Sequence, residues 1–265
     1  MRYFTKKNRA LLAELVRTDF KLRYQGSVLG YGWSLLRPLL LFLILYIVFV
    51  QFLRIGATVP HFPVYLLLGI VIWNFFYEMT TQSLGSIVSR GDLIRKIRIP
   101  RWIIVLSSSI SALINLLLNL VVVAGFMVVN HVELSSSIAW LPLILLEVYI
   151  FAFGLSLLLS AFYVKYRDVN YIWEVMTQAG FYITPILYPL GLITNLTLQK
   201  LIMLNPMAQT IQAARYSSVT HETITGYQVF EGGWYMYIPY IIVAVTFLAG
   251  LLYFKTQAKY FAENI

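Results

Sequence analysis

Apolar and polar residues follow one another along this chain in long blocks rather than at strand spacing. Six predominantly apolar stretches, at 34–53, 62–82, 102–130, 138–163, 171–190 and 235–255, are separated by polar segments. About 20 such residues make a helix that crosses the ~30 Å hydrocarbon layer of a bilayer. Only helices and closed barrels satisfy their own backbone there. The pattern predicts an all-α polytopic membrane protein with six transmembrane helices. The stretch at 102–130 is longer than a crossing needs and should tilt. The stretch at 171–190 carries Gly180, Pro185 and Pro189, with Gly191 just beyond, and should be broken or kinked near its end.

Two segments outside the spans have their own pattern. Over residues 4–22, Leu11, Leu12, Leu15, Val16 and Phe20 share one helical face, and Glu14, Arg17 and Lys21 lie opposite. That is an N-terminal amphipathic helix for a membrane interface, with cations available to anionic headgroups. Gly26, Gly30 and Gly32 then let the chain turn into the first span, with Pro38 expected in its first turn. Between the fifth and sixth spans, "LITNLTLQKLIMLNPMAQTIQAAR" is too apolar for a solvated loop and too interrupted to cross. It is expected to form either a pair of re-entrant helices packed on protein or an amphipathic lid on the outer surface.

Composition agrees with a bilayer as the solvent. Of the 265 residues 60% are hydrophobic and 12% charged, with a mean hydropathy of +0.76; ordinary soluble domains are about 45–50% apolar and 25% charged. The net charge of +9 is a topology signal before it is a partner signal, because 17 of the 20 lysines and arginines fall on one side if the N-terminus is cytoplasmic. Both termini are then inside, and nucleic acid is not called for as a partner. The whole chain, 1–265, reads as a single membrane domain: an interface segment at 1–33, the spans at 34–255 and a cytoplasmic tail at 256–265. No cleaved leader is expected. With no cysteine, a disulfide framework and a thiolate site are both excluded.

The sequence contains no GxxxxGK[ST] phosphate loop, GxGxxG, HExxH or GxSxG motif. It offers no catalytic constellation and no cofactor or metal site of its own, so work against a gradient requires energy from another chain. His61, His131 and His221 are isolated at the outer edges of spans. Glu78, Glu147 and Glu174 lie in or near apolar segments, where a carboxylate is either paired structurally or part of a pathway; Glu174 sits close enough to Arg167 and Asp168 to be interfacial. Two aromatic groups fall at helical spacing in mid-span: Phe42, Tyr46 and Phe49, and Trp73, Phe76 and Tyr77. They are either packing bulk or a surface on which the C–H faces of sugar rings slide.

Several segments go further. "DFKLRYQGSVLGYGWSLLRPLL", "GDLIRKIRIPR", "YRDV", "FYITPILYP" and "LNPMAQTIQAAR" occur in this order along nearly the whole chain. Together they resemble the permease subunit of bacterial ABC transporters that export polysaccharides such as O-antigen, teichoic acid and capsule. The resemblance implies a homodimeric channel in the cytoplasmic (inner) membrane, served by two copies of a separate ATPase that binds ATP and Mg. The substrate would be an undecaprenyl-linked glycan. Its pyrophosphate would meet Lys21, Arg23 and Arg37, since guanidinium groups suit phosphate geometry. Asp92, Arg95, Lys96, Arg98 and Pro100 would couple to the ATPase, the two aromatic groups would line the channel, and Pro185, Tyr188, Pro189 and Pro206 would belong to an outer gate. Two other classes remain: an ABC permease for a small hydrophobic compound, and a membrane-embedded glycosyltransferase, which would need clustered acidic residues at a membrane face.

Overall fold

The computed structural model describes residues 6–24, 26–30, 32–55, 59–96 and 99–261, and within these the side chains of residues 7 and 22–24 lie outside the description. Among the described residues the regular structure is helical throughout. The main elements are α1 (Lys6–Tyr24), α2 (Gly32–Tyr46), α3 (Phe62–Ser89), α4 (Gly91–Lys96), α5 (Trp102–Val129) and α6 (Leu141–Lys165). They are followed by α7 (Val169–Ile183), α8 (Leu196–Met203), α9 (Pro206–Ser218), α10 (Gly226–Val229) and α11 (Ile238–Gln257). α2 runs directly into a π-helical turn, Ile47–Phe52.

Five segments are long and apolar enough to cross a membrane: Gly32–Phe52, Phe62–Ser89, Trp102–Val129, Ser136–Lys165 and Trp234–Gln257. They match the first four and the last of the expected stretches. The remaining one is α7, a helix of 15 residues, or about 22 Å at 1.5 Å per residue. It stops where Pro185 forces Thr184 out of the helical region (ψ 135°), the break that the prolines predict.

α3 is the axis of the molecule. It packs against α2, α5, α6, α7 and α9, and 78% of its most apolar window is buried, against 11% for α2. It outruns its hydropathy because the Ser86 hydroxyl donates to the Ser83 carbonyl at 2.7 Å and Ser89 donates to Ser86 at 3.1 Å. Polar side chains that back-bond to their own helix cost little inside a bundle. On the opposite flank, α6 and α11 touch through glycines. A Cβ on Gly154 would fall 2.6 Å from the Phe247 Cα, and one on Gly250 would fall 2.3 Å from the Gly154 carbonyl oxygen. Small residues alone allow helix backbones so close.

The N-terminal helix has the two predicted faces: α1 packs on α5 with Leu15 buried, while Glu14, Arg17 and Lys21 are exposed. Gly26 and Gly30 take positive φ (77° and 49°) in the turn that follows. Pro38 departs from expectation. The helix begins at Gly32, so Pro38 is buried inside α2 rather than in its first turn. A proline there cannot donate to the carbonyl four residues back, which is that of Ser34. Asn119 on α5 donates its side-chain amide to that carbonyl at 3.3 Å, and the helix continues.

Candidate translocation site

At one end of the bundle lies the expected coupling segment. α4 carries Asp92 in its first turn and Arg95 and Lys96 in its last, charges that complement the helix dipole. Ile94 anchors the helix in a cluster with Ile87, Ile104 and Phe254, which leaves Asp92, Arg95 and Lys96 exposed. Pro100 accepts the Ile103 N–H at 3.0 Å where α5 begins; Arg98 lies outside the described residues. Immediately beside α4, Arg90 pairs with Asp19 of α1 and donates to the Ser107 hydroxyl at 3.0 Å. One guanidinium thus joins α1, the end of α3 and the start of α5. Nothing in the sequence connects position 19 to position 90, so this link was not legible there.

Lys21 and Arg37, the expected anion contacts, are exposed on the two helices flanking the glycine turn. The Arg23 side chain lies outside the described residues.

The aromatic groups divide. Phe42 is buried edge-on against Phe126, with ring centroids 5.4 Å apart. Trp73 lies over Gly180 of α7, where a Cβ would come within 2.9 Å of its ring. Phe76 stacks on Phe151 at 5.7 Å and 11°. These three rings are buried by neighbouring helices of the same chain. Tyr46, Phe49 and Tyr77 are half-buried and keep open faces.

α7 shows a second stripe. Thr177 is its only buried residue, and Tyr171, Glu174, Gln178 and Tyr182, at spacings of 3, 4 and 4, are all exposed. An acid, an amide and two phenols on one face of an apolar helix do not suit the hydrocarbon core; such residues face a membrane interface, a wet cavity or another protein surface. The spacing is readable in the sequence, where the prolines beyond it give the stronger local signal.

The other end of the bundle holds the pair of short helices expected after the fifth span. Asn195 caps α8 by accepting the Thr197 N–H at 2.9 Å, and Asn205 caps α9 by accepting that of Met207 at 3.0 Å, with Pro206 at the first helical position. α9 is mostly buried, while Leu196, Leu198 and Leu201 of α8 are exposed. Pro185 is buried, Pro189 half-buried, and Tyr188 donates its hydroxyl to the Ile183 carbonyl at 3.0 Å, closing the end of α7. The fixing element is Arg215, which is fully buried. It donates to the Pro185 carbonyl at 2.5 Å, the Ile186 carbonyl at 2.7 Å and Gln212 at 3.0 Å. Four acceptors counting the Tyr65 carbonyl satisfy a charge that, among the described residues, has no carboxylate beside it.

The intramembrane carboxylates are engaged differently. Glu78 accepts from Gln82 at 2.9 Å and from Asn115 of α5, a polar pairing across the α3–α5 contact. Glu147 sits beside Thr210 of α9. The histidines, read as isolated, are not: His61, His131 and His221 all line one recess with Glu133 and Glu222. They are far apart in sequence and meet because α3, α5 and α9 end together.

Comparison with known proteins places this architecture. Residues 10–219 match the family model described as ABC-2 type transporter. The O-antigen export system permease protein RfbA of Klebsiella pneumoniae is 30% identical over 254 residues, covering 96% of this chain and 94% of that protein. The protein of the same name from Myxococcus xanthus is 28% identical over 97% of this chain and 96% of its own length. The polysialic acid transport protein KpsM of Escherichia coli is 26% identical over 91% of each. With the family model matched over most of its length, this chain belongs to the ABC-2 type transporter family.

Proposed function

We propose that this chain is the permease half of an ATP-driven exporter that moves a lipid-linked polysaccharide across the bacterial cytoplasmic membrane. The observation that carries the reading is the exposed stripe of Tyr171, Glu174, Gln178 and Tyr182 on α7, in a chain similar over nearly its whole length to an O-antigen export permease. A polar, aromatic face on a membrane helix needs water or a polar cargo, and a sugar chain supplies hydroxyls for the acid and amide and C–H faces for the rings. α2 and the π-helical turn after it, with half-buried Tyr46 and Phe49, are weakly covered as well. A second copy that set its own α2 and α7 opposite these would enclose a path between the two chains.

In this arrangement α7 and the turn after it form a fifth crossing, giving six, with both termini cytoplasmic. Two copies of an ATPase, which bind ATP and Mg, dock on α4. Closure of the ATPase pair pushes α4 and, through Arg90, tilts α1. Lys21, Arg23 and Arg37 meet the pyrophosphate of an undecaprenyl-linked glycan at the inner leaflet, and α8 and α9 close the outer end.

The test is deletion of the gene and complementation. Loss of surface glycan, with lipid-linked glycan accumulating inside and both restored by the wild-type gene, is the expected result. Unchanged surface glycan together with altered sensitivity to small amphiphiles would replace this reading with the small-compound exporter.

A further inference from the structure

The recess at the ends of α3, α5 and α9 lies beside the outer end that α8 and α9 close. Its volume is about 620 Å³, within the range of small-ligand sites. Every histidine of the chain lines it. Two of them, His61 and His131, hold left-handed backbone conformations at φ 53° and 52°, a region non-glycine residues enter rarely and mostly where surrounding structure or function demands it. The walls are tied to the fold: Ser137 donates to the Ser217 carbonyl at 2.9 Å, and Val219 N–H closes on the Arg215 carbonyl at 2.8 Å.

The lining has a definite chemistry. Tyr216 and His221 form an edge-to-face ring pair, centroids 4.8 Å apart at 68°, and both are exposed. Glu133 and Glu222 offer only acceptors, whereas imidazole, phenol and serine groups both donate and accept. That mixture suits hydroxyl groups, which do both, and the ring pair suits the apolar face of a pyranose. Among the described residues no lysine or arginine lines the recess. Two carboxylates without a fixed cation repel an anionic ligand.

We propose that this recess is a saccharide subsite that holds a neutral, hydroxyl-rich segment of the exported glycan as it leaves the outer end of the permease. The proposal rests on the polysaccharide reading and narrows it to glycans whose repeat presents uncharged sugars.

The test uses the full chain in lipid nanodiscs. The probe is the parent strain's surface glycan released from its lipid by mild acid, with oligosialic acid as an anionic competitor, followed by saturation-transfer NMR. The expected result is saturable binding of the strain's glycan, not displaced by oligosialic acid, and about tenfold weaker in Tyr216→Ala. Glu222→Gln and His221→Ala, at exposed positions, should fold normally and also weaken it. Equal competition by oligosialic acid, wild-type affinity in all three variants, or no saturable binding would overturn the subsite. If deletion of the gene still abolishes surface glycan in that case, the export reading stands without it. If deletion leaves surface glycan intact, the export reading fails first.

Discussion

Arg215 lies over the ring of Tyr65, its guanidinium carbon 3.6 Å from the ring centroid, and its Nε donates to the carbonyl of the same residue at 2.9 Å. The two residues are on α9 and α3, so the contact fastens a short helix to the central one. Because the same guanidinium holds the carbonyls of Pro185 and Ile186, the turn after α7 is fastened as well. Planar, five-donor geometry is what serves four acceptors at once; an ammonium group does not reproduce it.

Arg215→Lys should therefore be nearly as damaging as Arg215→Ala. Each orphaned buried carbonyl costs ~1–3 kcal/mol, so the loss should exceed ~2 kcal/mol and show as a lowered melting temperature in detergent. Gly69→Ala attacks the same contact from the other side, since its Cβ would fall 2.4 Å from the guanidinium. A thermal stability unchanged in both Arg215→Lys and Gly69→Ala would mean that the clamp contributes nothing.

The clamp also refines the outer gate. Single cysteines at 186 and 187 should resist a membrane-impermeant thiol reagent, because both positions are buried. Cysteines at 196, 198 and 201, exposed on α8, should react, and at rates that change with nucleotide. Uniform labelling from 186 to 204, indifferent to nucleotide, would make the segment a static loop.

Asp19 and Arg90 should couple transport to the ATPase. Replacing Asp19 with Asn removes the charge opposite a largely buried guanidinium and should reduce export more than ATP hydrolysis. Exchange of the two charges, Asp19→Arg with Arg90→Asp, should recover part of the loss, and a double-mutant cycle measures it. If the single variants export normally, the pair is structural only.

On α4 the prediction separates docking from folding. Arg95→Glu with Lys96→Glu alters exposed side chains only; it should leave the permease folded but release the ATPase in a pull-down. Ile94→Asp places a charge in the cluster with Ile87 and Phe254 and should prevent folding. Normal ATPase binding by the double reversal would leave α4 as a topology determinant.

The aromatic residues should fall into two classes. Phe76→Ala, which empties a stacked buried site, should cost ~3–5 kcal/mol of stability. Tyr46→Ala and Phe49→Ala should leave stability nearly intact and slow glycan export, with exchange among Phe, Tyr and Trp milder. Wild-type export in both Ala variants would place those rings against lipid.

What was legible in the sequence follows from range. Hydropathy located five long helices because burial in a bilayer is a property of each stretch by itself, and Pro185 announced the end of α7 locally. α3 was read seven residues short because Ser86 and Ser89 look polar until their hydroxyls are seen to bond their own helix. Arg215, the Asp19–Arg90 pair and the meeting of three histidines were hidden, since each depends on partners scores of residues away. Asn119 is the instructive case: an amide in an apolar run reads as a weakness of the span, and it repairs a gap that Pro38 leaves in another helix.

The glycine contact between α6 and α11 bears on how such a machine divides its labour. With backbone against backbone, neither helix can slide or roll without a collision of atoms already at closest approach. That flank behaves as a stator. Displacement during a transport cycle is then expected in the sparsely covered helices α2 and α7 rather than between α6 and α11.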